Sequence, residues 1–213
     1  MKRGLLIAFE GIDGTGKSTQ LQLLAAFLRD RGCRVITTRE PTDSSFGRRI
    51  RELYVDRGSC TLEEELELFI QDRRLHVREL IEPQLAEGAL VLTDRYYFST
   101  AAYQGAAGMD MKEIFARNSF APIPDLVILL TMDPEVSIAR IREGRGDELN
   151  DFEQLDQLRS VAARFDSFSN PCIRRIDASA DLDQVQEQVR SEVSALLDEK
   201  EFSNSSPGGN QFD

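Results

Sequence analysis

Short apolar runs alternate with longer amphipathic stretches along most of the chain. Leu5–Phe9, Val35–Thr38, Leu90–Thr93, Leu126–Leu130 and Cys172–Ile176 read as short buried strands, rich in Leu, Ile and Val. Between them, apolar residues recur at helical spacing. Leu21, Leu24, Ala25 and Leu28 predict a helix over Thr19–Arg31, and Leu62–Leu85 predicts a long helix with Pro83 near its end. Pro134–Arg142 follows Asp133, an N-cap residue with proline at the first helical position. A stripe of Leu155, Leu158, Ala162 and Phe165 predicts a helix within Phe152–Phe168; Leu182, Val185, Val189, Val193 and Leu196 predict the last one. Strand–helix alternation of this kind predicts an α/β fold: a five-stranded parallel sheet with helices on both faces. The length suits one domain over residues 1–200, and Glu201–Asp213, with its Ser-Asn-Ser-Ser-Pro-Gly-Gly segment, reads as a disordered tail.

The first strand runs into Gly11-Ile12-Asp13-Gly14-Thr15-Gly16-Lys17-Ser18, followed by Thr19. This fits G-x-x-x-x-G-K-[ST], and strand, Gly-rich loop, helix is the context that gives the pattern its meaning. Glycines let the backbone curl so that its N–H groups and the helix N-terminus cradle phosphate oxygens. Lys17 reaches the terminal phosphates of ATP, and the Ser18 hydroxyl is a candidate Mg2+ ligand.

Four further groupings carry candidate chemistry. Asp94 and Arg95 follow the third strand, at the strand ends where open parallel sheets bind ligands. A carboxylate there suits Mg2+ and an Arg suits a phosphate, although an Asp-Arg pair taken alone reads better as a surface ion pair. Thr38-Arg39-Glu40-Pro41 follows the second strand, with Arg48, Arg49 and Arg51 beyond it. Phe69 and Arg73 are four apart on one helix face, where a ring stacks on a base and an Arg bonds its edge; Phe69 alone suits the core. Arg140, Arg142 and Arg145 alternate with Gly144 and Gly146, a composition that suits a lid at about 142–151 as well as a solvated loop.

Composition narrows the partners. The 213 residues carry 26 basic and 37 acidic side chains, a net charge of −11, so a nucleic-acid polymer is not expected. Cys33, Cys60 and Cys172 are dispersed and odd in number, neither a disulfide framework nor a zinc site, and Cys33 and Cys172 read as small buried hydrophobes. No apolar run reaches membrane-spanning length and the start does not resemble a signal peptide, so no membrane partner and a cytoplasmic location are expected. His76 is the only histidine and reads as a partly exposed helix residue.

Together these motifs resemble the thymidylate kinase family, which phosphorylates dTMP to dTDP with ATP and Mg2+ in dTTP biosynthesis. The resemblance rests on Phe9-Glu10-Gly11 through Thr19, Thr38-Arg39-Glu40-Pro41, Phe69 with Arg73, Asp94-Arg95-Tyr96 through Ser99-Thr100 to Ala102-Tyr103-Gln104, and Asn118, Phe120 and Ala121 before Pro124-Asp125-Leu126. It implies a P-loop, nucleoside monophosphate kinase-like fold and a homodimer. It implies that Asp13 meets the sugar 3′-hydroxyl or the metal shell, Phe69 stacks on thymine, Arg73 donates to the base carbonyl, and Thr100 and Gln104 read the pyrimidine edge. Tyr103 would disfavour ribose, Arg51 and Arg95 would hold the acceptor phosphate, and Glu40 joins the substrate-binding set. With Gly14 where one branch of the family carries an arginine, Arg142 and Arg145 become the catalytic candidates beside Lys17 and Arg95, with Arg140 a third lid arginine. Two departures stand out: Thr42-Asp43-Ser44-Ser45 replaces the usual Gly-Gly after Arg-Glu-Pro, and Leu149-Asn150-Asp151-Phe152-Glu153 lacks an Arg common in family lids. Other readings are a kinase for a different monophosphate or a nucleoside, with Glu40 or Asp13 as base, and a nucleotide-binding module without turnover. Leu66 and Ile70 suit either a dimer face or the core.

Overall fold

The computed structural model describes residues 3–54, 60–145 and 155–202, with the side chains at 144, 145, 201 and 202 excluded. Five parallel strands form one sheet: β1 (Leu5–Glu10), β2 (Val35–Arg39), β3 (Leu90–Asp94), β4 (Leu126–Thr131) and β5 (Ile173–Asp177), in the order β2-β3-β1-β4-β5. All five fall within a residue or two of the predicted runs.

Alternation along the strands feeds two cores. Ile7 and Phe9 of β1 point to one face, where Leu21, Leu24 and Leu28 of α1 (Lys17–Asp30) and Val185, Val189 and Val193 of α9 (Leu182–Phe202) cover them. Leu6 and Ala8 point to the other, under α3 (Leu62–His76), α5 (Tyr97–Ala106) and α8 (Leu155–Asp166). Leu66 and Ile70 are buried in this second core, so they supply no surface to a second subunit. Register matters most for the site. Phe9 pairs with Asp94, and Asp94 with Arg39, so the P-loop, the Asp-Arg loop and the Arg-Glu-Pro loop leave the sheet side by side.

Several expectations change. The long helix over Leu62–Leu85 is α3, a π turn at Val77–Ile81 and the short α4 (Glu82–Ala86), with Pro83, which has no N–H to donate, falling just after the π turn. Three helices lie outside the predicted set: α2 (Ser45–Leu53), α5 and α6 (Met111–Arg117). α7 spans Pro134–Arg145, beyond the predicted Arg142, and α9 extends through Phe202, taking in the first two residues of the expected tail. Residues 146–151 of the expected lid and 203–213 of the tail lie outside the described residues. Cys33 and Cys172 are only partly buried, because each packs at the margin of a core. His76 is buried rather than exposed, because α3 turns it toward β2. Among the described residues no helix is long and apolar enough to cross a membrane.

Candidate active site

The P-loop is shaped by its own backbone and by α7. Gly14 and Gly16 have φ values of 79° and 82°, where a side chain is strained. A Cβ on Gly14 would lie 2.8 Å from the carbonyl and hydroxyl oxygens of Ser137 on α7, whereas one on Gly16 would meet nothing within 4 Å. The Ser137 hydroxyl donates to the Asp13 carbonyl, docking α7 on the loop. The Thr15 hydroxyl and the Lys17 ammonium both donate to the Ile12 carbonyl, at 2.9 and 2.7 Å. Gly11, Ile12 and Thr15 are buried behind the loop, while Ser18 and Thr19 open α1 toward solvent.

The loop after β3 faces it. Arg95 is the one described non-glycine residue in the left-handed region, with φ 70°. Its N–H extends the β1–β3 ladder to the Phe9 carbonyl at 2.9 Å. Its guanidinium then reaches Asp13 Oδ1 at 2.5 Å and Ser99 Oγ at 2.9 Å. Tyr103 donates to the other Asp13 oxygen at 2.7 Å. α5 starts at Tyr96 without a side-chain cap of its own. Glu10, from the end of β1, replaces it: its carboxyl accepts from the Tyr96 and Ser99 N–H groups at 2.9 and 3.2 Å, and from the Ser99 hydroxyl at 2.5 Å. On the P-loop side, the Ser18 hydroxyl donates to Asp94 Oδ2.

Charge is concentrated here. Burial pushes the Asp13 carboxyl up, but Arg95, Lys17 and the Tyr103 hydroxyl more than offset it and hold the pKa at about 2. Burial and the neighbouring Arg95 lower Lys17 to about 8, against opposing attraction from Asp13, Asp94 and Glu10. Burial raises Glu10 to about 7, despite its three hydrogen bonds and the nearby Arg95.

The opposite wall is built by α3 and the β2–α2 loop. Arg73 is 1% exposed. It donates through Nε and Nη2 to Glu40 Oε2 at 2.9 and 2.5 Å, through Nη1 to Asn118 at 2.6 Å, and through Nη2 to Thr100 at 2.9 Å. The adjacent Asp72 points the other way and fastens the loop that departs from the family pattern. It accepts from the Thr42 N–H and hydroxyl at 2.8 and 2.5 Å, and from the Ser44 hydroxyl at 2.6 Å. Arg51 of α2 donates to the Pro41 and Thr42 carbonyls at 3.1 and 2.7 Å and to Asp43 at 3.0 Å.

These walls enclose one cavity of about 680 Å3. Of the predicted residues, Asp13, Gly14, Gly16, Lys17, Ser18 and Thr19 line it on the P-loop side, with Asp94 and Arg95 beside them. Glu40, Arg51, Phe69, Arg73, Thr100 and Tyr103 line the remainder, so Phe69 is a cavity wall rather than core. Gln104 is buried behind Thr100 with its carbonyl oxygen unpartnered among the described residues, and it does not reach the cavity surface. Arg140 lines the mouth while donating to the Ala178 and Ser179 carbonyls. Arg142 is exposed and away from the cavity, and the Arg145 side chain lies outside the described residues. Tyr54 also lines the cavity, as do Arg39, Tyr96 and Ser99, which lie within the motifs quoted from the sequence but carry no individual role there. Ser99 was findable, being four residues after Arg95; Tyr54, at the end of α2, carried no signal.

The thymidylate kinase family model matches residues 9–189. This chain belongs to the thymidylate kinase family. A thymidylate kinase from Desulfotalea psychrophila is 52% identical over 194 residues, covering 91% of this chain and 96% of that protein. Thymidylate kinases from Xanthomonas campestris pv. campestris and Xanthomonas euvesicatoria pv. vesicatoria are each 45% identical over 194 residues, covering 91% of this chain and 85% of theirs. The match therefore takes in every cavity wall of this thymidylate kinase family member, from the P-loop to α7.

Proposed function

We propose that this protein transfers the γ-phosphoryl group of ATP to dTMP, giving dTDP in the route to dTTP. One observation carries the reading: a single cavity joins a P-loop to a pocket walled by Phe69, Arg73 and Thr100, with the Arg95–Asp13–Tyr103 cluster between them. That order matches phosphates of one nucleotide at one end, the base of another at the far end, and the transfer between.

In this reading ATP phosphates sit on the P-loop amides and the start of α1, with Lys17 turning from the Ile12 carbonyl to the β- and γ-oxygens. Ser18 and Asp94 offer hard oxygen donors in contact with each other, a set that suits Mg2+ shared with phosphates. Ser18 and Asp94 would hold the ion, which would supply charge neutralisation to the nucleotide phosphates.

Arg51 and Arg95 hold the acceptor phosphate, already an anion, so no general base is needed. One of its oxygens attacks the γ-phosphorus as the bond to the β,γ-bridging oxygen breaks, and ADP leaves with that electron pair. Catalysis comes from alignment and charge neutralisation by Lys17 and Arg95, with Arg142 and Arg145 of the lid segment added on closure. Phe69 stacks on thymine and Arg73 donates to the base carbonyl. Thr100 reads the pyrimidine edge from the cavity wall, Gln104 would have to turn out from its buried position to share that role, and Tyr103 against Asp13 crowds the sugar 2′ position. Residues 1–200 are read as one domain with 142–151 as its lid, and the protein as a cytoplasmic homodimer, by analogy with the family. The charge of −11 disfavours a nucleic-acid polymer as partner.

The test is an ADP-release assay with Mg-ATP against dTMP, dUMP, UMP, CMP, AMP and thymidine, with Lys17→Ala as control. Fastest turnover on dTMP, weaker on dUMP and lost in the variant, is the expected result. ATP binding without turnover of dTMP would overturn it.

A further inference from the structure

The buried ion pair of Arg73 has a third member that the reaction does not touch. Glu40 gives one carboxylate oxygen, Oε2, to Arg73; its other, Oε1, accepts from His76 Nδ1 at 3.0 Å, its donor among the described residues. The far ring nitrogen of His76, Nε2, lies 2.7 Å from the Thr38 hydroxyl. The three ionisable members are shut away from solvent, with the side chains of Arg73, His76 and Glu40 1%, 3% and 4% exposed, while Thr38 is half-buried.

The geometry follows from two simple spacings. Arg73 and His76 are three apart on α3, so they stand on one helix face and grip one carboxylate from both sides. Thr38 and Glu40 are two apart around the end of β2, so one imidazole bridges strand and loop together. The π turn begins at the next residue, Val77, so the helix keeps regular α geometry through the pair and relaxes only after it.

Donor accounting then leaves little freedom. An ionised carboxylate only accepts, so Nδ1 carries a proton; in the neutral ring Nε2 accepts, and the Thr38 hydroxyl donates to it. Burial favours the neutral Glu40 carboxyl, but Arg73 and His76 outweigh it and hold the pKa below the usual carboxylate range. Without the ring, Oε1 has no donor and the carboxylate is free to turn about its last torsion; Arg73, still held by Asn118 and Thr100, loses the fixed acceptor that aligns its Nε–Nη2 edge.

We propose that His76 is a positioning residue for the acceptor's base: it locks the Glu40 carboxylate, and through it the Arg73 guanidinium, in the orientation that faces the cavity. This rests on Arg73 as the reader of the base. His76 itself touches no substrate.

The experiment compares steady-state kinetics of the wild type, His76→Phe, His76→Asn and Thr38→Val, with nitrogen NMR of histidine-labelled protein. The expected result for His76→Phe is a KM for dTMP raised about tenfold, the scale of one weakened charged hydrogen bond, with kcat within about threefold and the KM for ATP unchanged. Preference for dTMP over dCMP falls by a similar factor. His76→Asn, which keeps a donor toward Glu40, recovers most of the loss, and Thr38→Val shows a smaller shift in the same direction. As the only histidine, His76 gives one ring signal, expected to be protonated at Nδ1 before any nucleotide is added. An Nε2–H tautomer, or variants that lose thermal stability while keeping the KM for dTMP, would overturn the proposal. Should His76→Phe not fold, Thr38→Val and the tautomer decide. A wild type that prefers another monophosphate would instead overturn the thymine reading, and the tautomer with the KM for that acceptor would still decide the part played by His76.

Discussion

Arg95 Nη2 stands 2.5 Å from Asp13 Oδ1 and ties the loop after β3 to the P-loop across the floor of the cavity. The pair is neither exposed nor sealed, with side chains 18% and 25% exposed, so an arriving phosphate can compete for the guanidinium. Arg95→Ala is expected to lower kcat by about 10²–10³-fold, the scale of losing one preorganised charge at a transferring phosphoryl group. Asp13→Ala leaves Arg95 in place and is expected to raise the KM for dTMP more than that for ATP. Steady-state kinetics with each nucleotide varied in turn separate the two; equal effects on both substrates would argue against this division of labour.

Glu10 makes stability depend on pH in a definite direction. Its carboxyl keeps its proton up to about pH 7 in the fold, while the unfolded chain releases it near 4.5. Between those values the native state binds more protons, so this group's contribution to stability falls as pH rises and is flat above about 7. Glu10→Gln keeps an acceptor for the Tyr96 and Ser99 N–H groups and removes the titration. Denaturant unfolding at pH 5 and pH 8 should therefore show a decline of roughly 1–3 kcal/mol in the wild type that is absent from the variant.

Gly14 and Gly16 differ although their φ values nearly agree. Gly14→Ala drives a Cβ against Ser137 as well as into a left-handed backbone; Gly16→Ala meets only the second obstacle. The expected costs are roughly 2–4 kcal/mol and about 1–2 kcal/mol. Thermal unfolding of the two variants checks the order. The same contact explains why an arginine is not accommodated at Gly14: α7 occupies the space its side chain would need.

Asp72→Ala removes the acceptor shared by Thr42 and Ser44 and leaves the partly buried Thr42 N–H without this partner. It is expected to destabilise by roughly 2–3 kcal/mol and, by loosening the carbonyls that hold Arg51, to raise the KM for dTMP with little change in that for ATP. Chemical denaturation and acceptor titration measure the two effects independently. Asp72 thus does for Thr42-Asp43-Ser44 what flexible glycines do for the usual loop, holding a path by side-chain bonds instead of backbone freedom.

Where a signal was local, the sequence was enough. Strands announce themselves by unbroken apolar runs because both faces of the sheet are covered, and the P-loop announces itself because backbone curvature demands glycine at set positions. The helices that escaped prediction show what locality misses. α5 is buried nearly all round, so its polar residues Ser99, Thr100, Tyr103 and Gln104 mark no solvent face, and the carboxyl that caps its start belongs to Glu10, eighty-six residues away. α2 starts at a Ser44 cap that follows no apolar period. His76 looked like a surface residue because its two partners, Thr38 and Glu40, belong to a different strand and loop.

By itself, then, the sequence determined the parallel α/β architecture and the Gly-rich loop between the first strand and the first helix, because periodicity, turn chemistry and motif spacing act over a few residues. Only the tertiary structure decided the pairings: Arg95 with Asp13, Glu10 with the start of α5, Arg73 with Glu40 and His76, and Ser137 against Gly14. Each joins segments far apart in the chain, and which buried donor finds which acceptor depends on strand register and helix rotation, which exist only once the sheet has formed.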